Sequence, residues 1–299
     1  MVNFQDELKK RTEEINKVIQ SYLPEEEGFA KTMAQAMNYS ILAGGKRLRP
    51  MLILETLRLF GGEEKLAYPF MAAMEMIHTH SLVHDDLPAL DNDDYRRGRL
   101  TTHKVYGEAM GVLSGVALLN YAYEVMLTAF DTADTPDCQA HMIQALKVMS
   151  HKTGLYGMLG GQSVDVENDG KPMSREMIDY IYENKTSALI EASVMTGAIL
   201  GGATEEETAI VEKAAKNIGL AFQIQDDILD VTGDQKVLGK EAGSDEKNQK
   251  TTYVTIEGLE KAKKDVEILS AQAIEDLNKL PGNNEFLENL IRILIKRQK

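Results

Sequence analysis

The 299-residue sequence holds one cysteine, Cys138, no tryptophan and seven prolines. A lone cysteine excludes an internal disulfide and any multi-cysteine zinc site, and it fits a reducing compartment. Basic side chains are in deficit: 33 Lys and Arg stand against 47 Asp and Glu, a net charge of −14. A chain of that sign is not expected to bind nucleic acid or an anionic membrane broadly. Any anionic ligand would need a local basic site or bound cations. Long uncharged runs are missing too. The longest, 109–123, falls short of the roughly 20 residues of a membrane span. Near the start, Asp6, Glu7, Lys9, Lys10 and Arg11 stand where a signal peptide would need an apolar stretch. No stable membrane anchor is expected, and a cytoplasmic location is. No Ser/Gly-rich linker, repeat or low-complexity tract divides the chain, so 1–299 is read as one domain.

The apolar residues recur at three- and four-residue spacing rather than alternating, which predicts helices. Thr204 with Glu207 reads as a capping box, Ser174 as an N-cap, and Pro50 suits a first helical turn. Helices are predicted near 3–20, 28–43, 51–60, 64–86, 102–130, 137–154, 173–200, 204–231, 255–279 and 284–297. The fold class is therefore all-α, with central helices too apolar to lie on a surface. Segment 232–253 is polar, glycine-containing and too long for an ordinary connection, which marks a lid or a disordered loop.

Chemistry concentrates in two acidic clusters. The first runs His84-Asp85-Asp86-Leu87-Pro88-Ala89-Leu90-Asp91-Asn92-Asp93-Asp94, five aspartates in ten residues from Asp85. Such carboxylates repel one another unless cations or solvent intervene. Pro88 should end the preceding helix, which would fold Asp91 back toward Asp85. The second cluster is Asp226-Asp227-Ile228-Leu229-Asp230. At about 100° per residue, Gln223, Asp226, Asp227 and Asp230 share one arc, opposite Ile210, Ala214, Ala221 and Ile228. Hard oxygen donors with no cysteine nearby suit Mg²⁺, commonly held by one or two carboxylates and completed by phosphate oxygens. Asp runs are most often solvated loops, but two of them, each at the end of an apolar helix, argue against that reading. An EF-hand fails on its glycine and glutamate spacing.

Basic residues accompany both clusters. Arg96, Arg97 and Arg99 follow the first within two turns, and Gly44-Gly45-Lys46-Arg47-Leu48-Arg49-Pro50 forms a second patch. The two glycines allow close backbone approach, and the cations could hold a phosphate without metal. Taken alone, that patch reads more readily as a helix C-cap with ordinary surface cations, and it is not a P-loop. His80 and His84, at i and i+4, allow a zinc reading, but the neighbouring carboxylates favour a hard cation. His78, seven residues before Asp85, shares its helical face.

Taken together, GGKRLRP at 44–50, EMIHTHSLVHDDLPALDNDDYRRG at 75–98, GGQSVD at 160–165, NKTSALI at 184–190, GLAFQIQDDILDVTGD at 219–234 and LGK at 238–240 resemble the trans-isoprenyl diphosphate synthase family, most closely its short-chain bacterial farnesyl diphosphate branch. The resemblance implies a single-domain bundle of about ten helices around a deep cavity, usually a homodimer. It implies three Mg²⁺ held by Asp85, Asp86 and Asp91 with Asp226, Asp227 and Asp230. Isopentenyl diphosphate would bind at Lys46, Arg49, His78 and Arg97. The diphosphate of an allylic substrate, dimethylallyl or geranyl, would meet Arg96, Lys185, Thr186, Gln223, Lys240 and Lys250. Gln162 and Asp165 would support the pocket wall. The implied reaction ionises the allylic C–O bond, adds isopentenyl diphosphate head to tail, and loses a proton to the departing diphosphate.

Two positions depart from that family pattern. Gly115-Val116 replaces the usual Gly-Asp. The residue five before Asp85, often aromatic in farnesyl enzymes, is His80, followed by small Ser81. Bulk below the first acidic motif limits product length, so farnesyl diphosphate is the expected product, with geranylgeranyl diphosphate as the alternative. A non-catalytic prenyl-diphosphate-binding partner subunit would typically lack an aspartate from one motif, and both motifs are intact. A terpene cyclase would carry an Asn/Ser/Glu triad in place of DDILD.

Overall fold

The computed structural model describes residues 4–232 and 251–296, so the expected loop at 232–253 lies almost wholly outside the described residues. The order begins α1 (Phe4–Ser21), α2 (Lys31–Ile41), α3 (Leu48–Leu59) and α4 (Glu64–Asp85). A hairpin follows, β1 (Tyr95–Arg96) and β2 (Arg99–Leu100), then α5 (Thr102–Tyr106), α6 (Glu108–Leu127), α7 (Pro136–Thr153), α8 (Met158–Glu167) and α9 (Arg175–Ile181). A π-helical turn, Tyr182–Ser187, joins α9 to α10 (Ala188–Leu200), which precedes α11 (Glu205–Thr232). Helices α12 (Tyr253–Glu257), α13 (Leu259–Leu277) and α14 (Glu285–Lys296) complete the chain.

The predicted caps form. Thr204 Oγ1 accepts the Glu207 N–H at 3.2 Å while Glu207 reaches back to the Thr204 N–H at 2.8 Å, and Ser174 Oγ accepts from Met177 N–H at 3.3 Å. Pro50 lies in the first turn of α3, where its missing N–H costs nothing. Beyond shifts of a few residues at helix ends, four features differ from the sequence reading. Gly107 (φ 87°) splits 102–130 into α5 and α6, and Gly258 (φ 83°) separates α12 from α13. The 173–200 run is continuous but widened by the π turn. Helix α8, unpredicted, survives two glycines of low helix propensity because Gly160 and Gly161 are buried in close contact with neighbouring backbone.

The all-α expectation holds, and the strands among the described residues are confined to a short hairpin in which Tyr95 pairs with Leu100 and Arg96 with Arg99. Its two turn residues, Arg97 (φ 53°) and Gly98 (φ 77°), both take left-handed conformations, as a type I′ turn requires.

Two helices run through the interior. Every residue from Pro69 to Ile77 of α4 is buried, and so is every residue of α10, the pattern of a helix enclosed on all sides. Helix α4 packs against α1, α3 and α6; α10 packs against α3, α7 and α11. Each delivers its chemistry at one end: α4 stops at Asp85, and α10 starts from the turn carrying Lys185 and Thr186. A second, smaller core of Ile178, Ile181, Tyr182, Ala221, Ile224 and Tyr253 fixes α9, α11 and α12 together. Helix α6 with its 3₁₀ extension (108–132) is the one stretch among the described residues long and apolar enough to cross a membrane by length and composition. Glu124 interrupts the uncharged run without ending the helix, so that stretch exceeds the one read from the sequence. Its Ser114, Leu118, Ala122, Val125 and Met126 are buried in the core.

Candidate active site

The C-terminal end of α4 folds back as Pro88 predicts. Asp91 N–H donates to the Asp85 carbonyl at 2.9 Å and Asn92 N–H to that of Leu87 at 3.1 Å, with Asn92 left-handed at φ 52°. The Asp85 carboxylate accepts from Gln162 Nε2 at 2.8 Å. Burial, reinforced by Asp91 and Asp86 and opposed by Lys185 and Arg96, pushes the Asp85 carboxyl up to about 6. Asp86 is buried and raised by that burial; it accepts from Arg96 Nε at 2.6 Å. The hairpin aims Arg96 there.

The same turn throws Arg97 toward the GGKRLRP segment. Its guanidinium donates to the Gly44 carbonyl and covers Gly45, where a Cβ would lie 2.7 Å from the guanidinium carbon. Gly44 (φ 90°) and Gly45 (φ 130°) therefore serve two needs, left-handed backbone and room for an arginine. Arg49 Nη1 stands 3.3 Å from His78 Nε2 and donates to it. Burial lowers Arg49 to about 10 and, with the arginine charges, keeps His78 neutral. Arg49 Nε and His78 Nδ1 are both buried without a hydrogen-bond partner. A buried polar atom without a partner calls for an explanation, and these two belong to residues that line one cavity. Beneath them, buried Arg47 (φ 48°) donates to Glu75 at 2.5 Å, to Asn16 Oδ1 at 2.8 Å and to the Ile41 carbonyl at 2.7 Å.

Across the cavity, the π turn carries Lys185 and Thr186. Lys185 Nζ donates to Asp165 of α8 at 2.5 Å, and the Thr186 hydroxyl to Gln223 Oε1 of α11 at 2.8 Å. Both neighbouring helices need glycine to approach. A Cβ on Gly161 would lie 2.3 Å from the Lys185 amide nitrogen, and one on Gly219 would lie 2.1 Å from Ser187 Oγ. The expected arc on α11 needs one correction. Asp227 is buried, accepting the Tyr182 hydroxyl at 2.5 Å and the Tyr253 N–H at 2.9 Å, because Tyr182 and Tyr253 reach it from the second core. Asp226 and Asp230, half-buried, remain on the accessible side.

A cavity of about 310 Å³ has Arg49, His78, His80, Ser81, Asp85, Gln162, Lys185 and Thr186 in its wall, with Leu82, Met158, Leu159 and Leu189 as apolar surface. Arg96, Arg97 and Asp86 line a small adjoining cleft instead. Lys46, Asp91, Asp165, Gln223 and the second acidic cluster are not in the wall of this cavity. Lys240 and Lys250 lie outside the described residues. His80 Nδ1–H donates to the Gly115 carbonyl at 2.9 Å and His84 Nε2–H to that of Val112 at 3.1 Å, their rings edge to face at 4.6 Å. One nitrogen of each ring is thus committed to holding α4 against α6.

Residues 30–288 match the polyprenyl synthetase family. The chain belongs to that family. It is 42% identical over 256 residues to a farnesyl diphosphate synthase of Geobacillus stearothermophilus, covering 86% of this chain and 85% of the relative. It is 44% identical over 244 residues to a geranylgeranyl diphosphate synthase of Cyanophora paradoxa, covering 81% and 80%. Its structure superposes with a TM-score of 0.86 on an apo FPP/GFPP synthase of Zymomonas mobilis, at 32% identity and covering 98% and 99% of the two chains.

Several residues that shape this polyprenyl synthetase site carry little signal in the sequence. Glu75 is one apolar-flanked glutamate among many. Tyr182 and Tyr253 are paired only by the fold, and the π turn leaves no periodic mark. Among the described residues, no three His, Cys, Asp or Glu side chains are gathered to hold a metal ion. The donor chemistry fits magnesium nonetheless. The accessible groups are carboxylate oxygens, and burial, with neighbouring aspartates adding to it, raises Asp85 and Asp86.

Proposed function

We propose that this polyprenyl synthetase condenses isopentenyl diphosphate head to tail with dimethylallyl and then geranyl diphosphate, releasing farnesyl diphosphate. The observation that carries the reading is the pair of orphaned buried groups, Arg49 Nε and His78 Nδ1, in the wall that Asp85, Lys185 and Thr186 share. One part of the wall offers the Arg49 cation and a neutral imidazole, and another offers the Asp85 carboxylate with Lys185 and Thr186. Two diphosphates, one held through metal and one without it, suit that division.

In this reading Lys46, Arg49, His78 and Arg97 bind the isopentenyl diphosphate. Arg96, Lys185, Thr186 and Gln223, with Lys240 and Lys250 outside the described residues, bind the allylic diphosphate. Asp85, Asp86 and Asp91 with Asp226, Asp227 and Asp230 would hold three Mg²⁺, Asp227 through a carboxylate that also accepts from Tyr182. Bound magnesium supplies neutralisation of the charge that builds on the departing diphosphate. Lys185 and Arg96 orient that group, and Gln162 holds the Asp85 carboxylate in place. The apolar wall of Leu82, Met158, Leu159 and Leu189 receives the prenyl chain and excludes water from the allylic cation. No side-chain nucleophile is required, and the proton leaves with the departing diphosphate.

The C15 length is supported by His80. Buried and pinned to Gly115, its ring lies in the cavity wall below Asp85. Geranylgeranyl synthesis is the second reading, favoured by the size of Ser81 beside it. A homodimer is supported by α6, whose Val112, Leu113 and Val116 are exposed on one helix. A single domain over the whole chain and a cytoplasmic location, which suits the lone Cys138, complete the proposal.

The test is direct. Purified protein with Mg²⁺, isopentenyl diphosphate and either allylic primer should release diphosphate and form a C15 prenyl diphosphate by mass analysis. Asp85→Ala should abolish turnover, and Arg49→Ala should chiefly raise the KM for isopentenyl diphosphate. Mainly C20 product overturns the length; inactivity with every allylic primer overturns the function.

A further inference from the structure

The π turn is held differently on its two sides. Toward the cavity, Lys185 and Thr186 meet Asp165 and Gln223. Behind it lies a second, solvent-open cavity of about 350 Å³, lined by Lys152, Glu183, Asn184, Glu191 and Glu212. Apolar packing therefore does not fix the turn from the rear. A chain of polar contacts spans that side. Ser187, the last residue of the turn and fully buried, donates to Glu191 Oε1 at 2.9 Å. Glu191, also buried, receives Lys152 Nζ on its other oxygen at 2.5 Å, and Lys152 reaches on to Glu212 at 2.7 Å. Burial alone would lower Lys152; the two carboxylates hold it above its ordinary value. Gly219 supplies the bare surface against which Ser187 rests.

We infer that Glu191 is a positioning residue: by gripping Ser187 while anchored through Lys152 to α7 and α11, it fixes the π turn that presents Lys185 and Thr186 to the allylic diphosphate. Inserted residues of this kind recur at functional sites because they turn side chains that a regular helix would not bring to one side. The role rests on the reading of Lys185 and Thr186 as allylic-diphosphate contacts. It is distinct from theirs, since Glu191 faces the rear cavity and touches no substrate.

The test compares Glu191→Leu, Glu191→Gln and Ser187→Ala with wild type by KM for geranyl diphosphate, KM for isopentenyl diphosphate, and thermal unfolding with and without Mg²⁺ and inorganic pyrophosphate. Glu191→Leu strips Ser187 of its acceptor and should raise the geranyl diphosphate KM about tenfold, the scale of a lost charged hydrogen bond. The isopentenyl diphosphate KM should stay within about twofold, and the stabilisation by Mg²⁺-pyrophosphate should shrink. Glu191→Gln keeps the acceptor oxygen and should rescue most of the allylic affinity. Ser187→Ala, the milder change should Glu191→Leu not fold, should move the same constant in the same direction. Combined with Glu191→Leu it should add little, because both cut one link. Both KM values rising together with no rescue by glutamine, or an unchanged allylic KM in a folded variant, would overturn the inference. A wild-type protein that fails to condense the substrates refutes the function itself, so the two failures are separable.

Discussion

Replacing Glu75 by glutamine removes a charge and almost no volume. Glu75 is 2% exposed and Arg47 4%, their charged groups 2.5 Å apart. Glu75 also supports the charged forms of Arg49 and Arg97, so its loss sets three guanidiniums against one another. Removing one partner of a buried pair costs about 3–5 kcal/mol. The lower end applies, since the amide oxygen still accepts from Arg47 and Asn16 and Ile41 keep their bonds. At about 2 °C per kcal/mol for a chain of this size, about 3 kcal/mol lowers the melting temperature by roughly 6 °C. The surplus positive field makes a second, opposite effect. An anion beside Arg49 and Arg97 replaces the missing carboxylate, so pyrophosphate or isopentenyl diphosphate should stabilise Glu75→Gln more than wild type, by linkage. Urea unfolding, with and without pyrophosphate, measures both without an ionic denaturant. The paired change Arg47→Met with Glu75→Leu should recover most of the stability, as apolar replacements of buried pairs often do. A Glu75→Gln midpoint indistinguishable from wild type, or weaker stabilisation by pyrophosphate than in wild type, refutes the reasoning.

Other expectations follow from single contacts. Burial, with the charge of His84 adding to it, lowers His80 to about 4, so the folded protein leaves it neutral while the unfolded chain, with an ordinary value of 6.5, takes up the proton. Its contribution is complete above about pH 6.5 and is lost as pH falls toward 4, by about 3 kcal/mol. His80→Phe should remove that limb when urea midpoints are compared at pH 7 and pH 4.5; an equal pH dependence in both proteins contradicts the assignment. Gly161→Ala drives a methyl against the Lys185 amide and should cost about 1–3 kcal/mol of overpacking, read as a lower melting temperature and a weakened allylic KM. Leu113→Glu, at an exposed position on α6, should leave the monomer's stability within about 0.5 kcal/mol and shift light-scattering mass from dimer to monomer; a monomeric wild type removes the dimer.

Much of this architecture was legible because it is written locally. Thr204, Ser174 and Pro50 mark helix starts within four residues of themselves, and three- and four-residue apolar spacing marks what lies between. The fold-back of Asp91 follows from Pro88 for the same reason. What escaped depends on distant partners. Arg97 is expected at a diphosphate, but the turn it makes with Gly98 exists only once Tyr95 pairs with Leu100. Lys185 and Thr186 sit on a turn whose extra residue shifts the periodicity too little to register. Asp227 reads as one more exposed aspartate in its motif, yet Tyr182, 45 residues earlier, and Tyr253 claim it. Burial of a carboxylate is decided by who arrives from elsewhere, and no window along the chain contains that.

The guanidinium lying over Gly45 has an evolutionary consequence. Positions 45 and 97 are about fifty residues apart in the gene, yet neither can drift alone. A side chain at 45 must displace the Arg97 guanidinium and hold a φ of 130° that favours glycine, and a shorter side chain at 97 leaves the Gly44 carbonyl without that donor. Single substitutions at either site should therefore be depleted in a selected library.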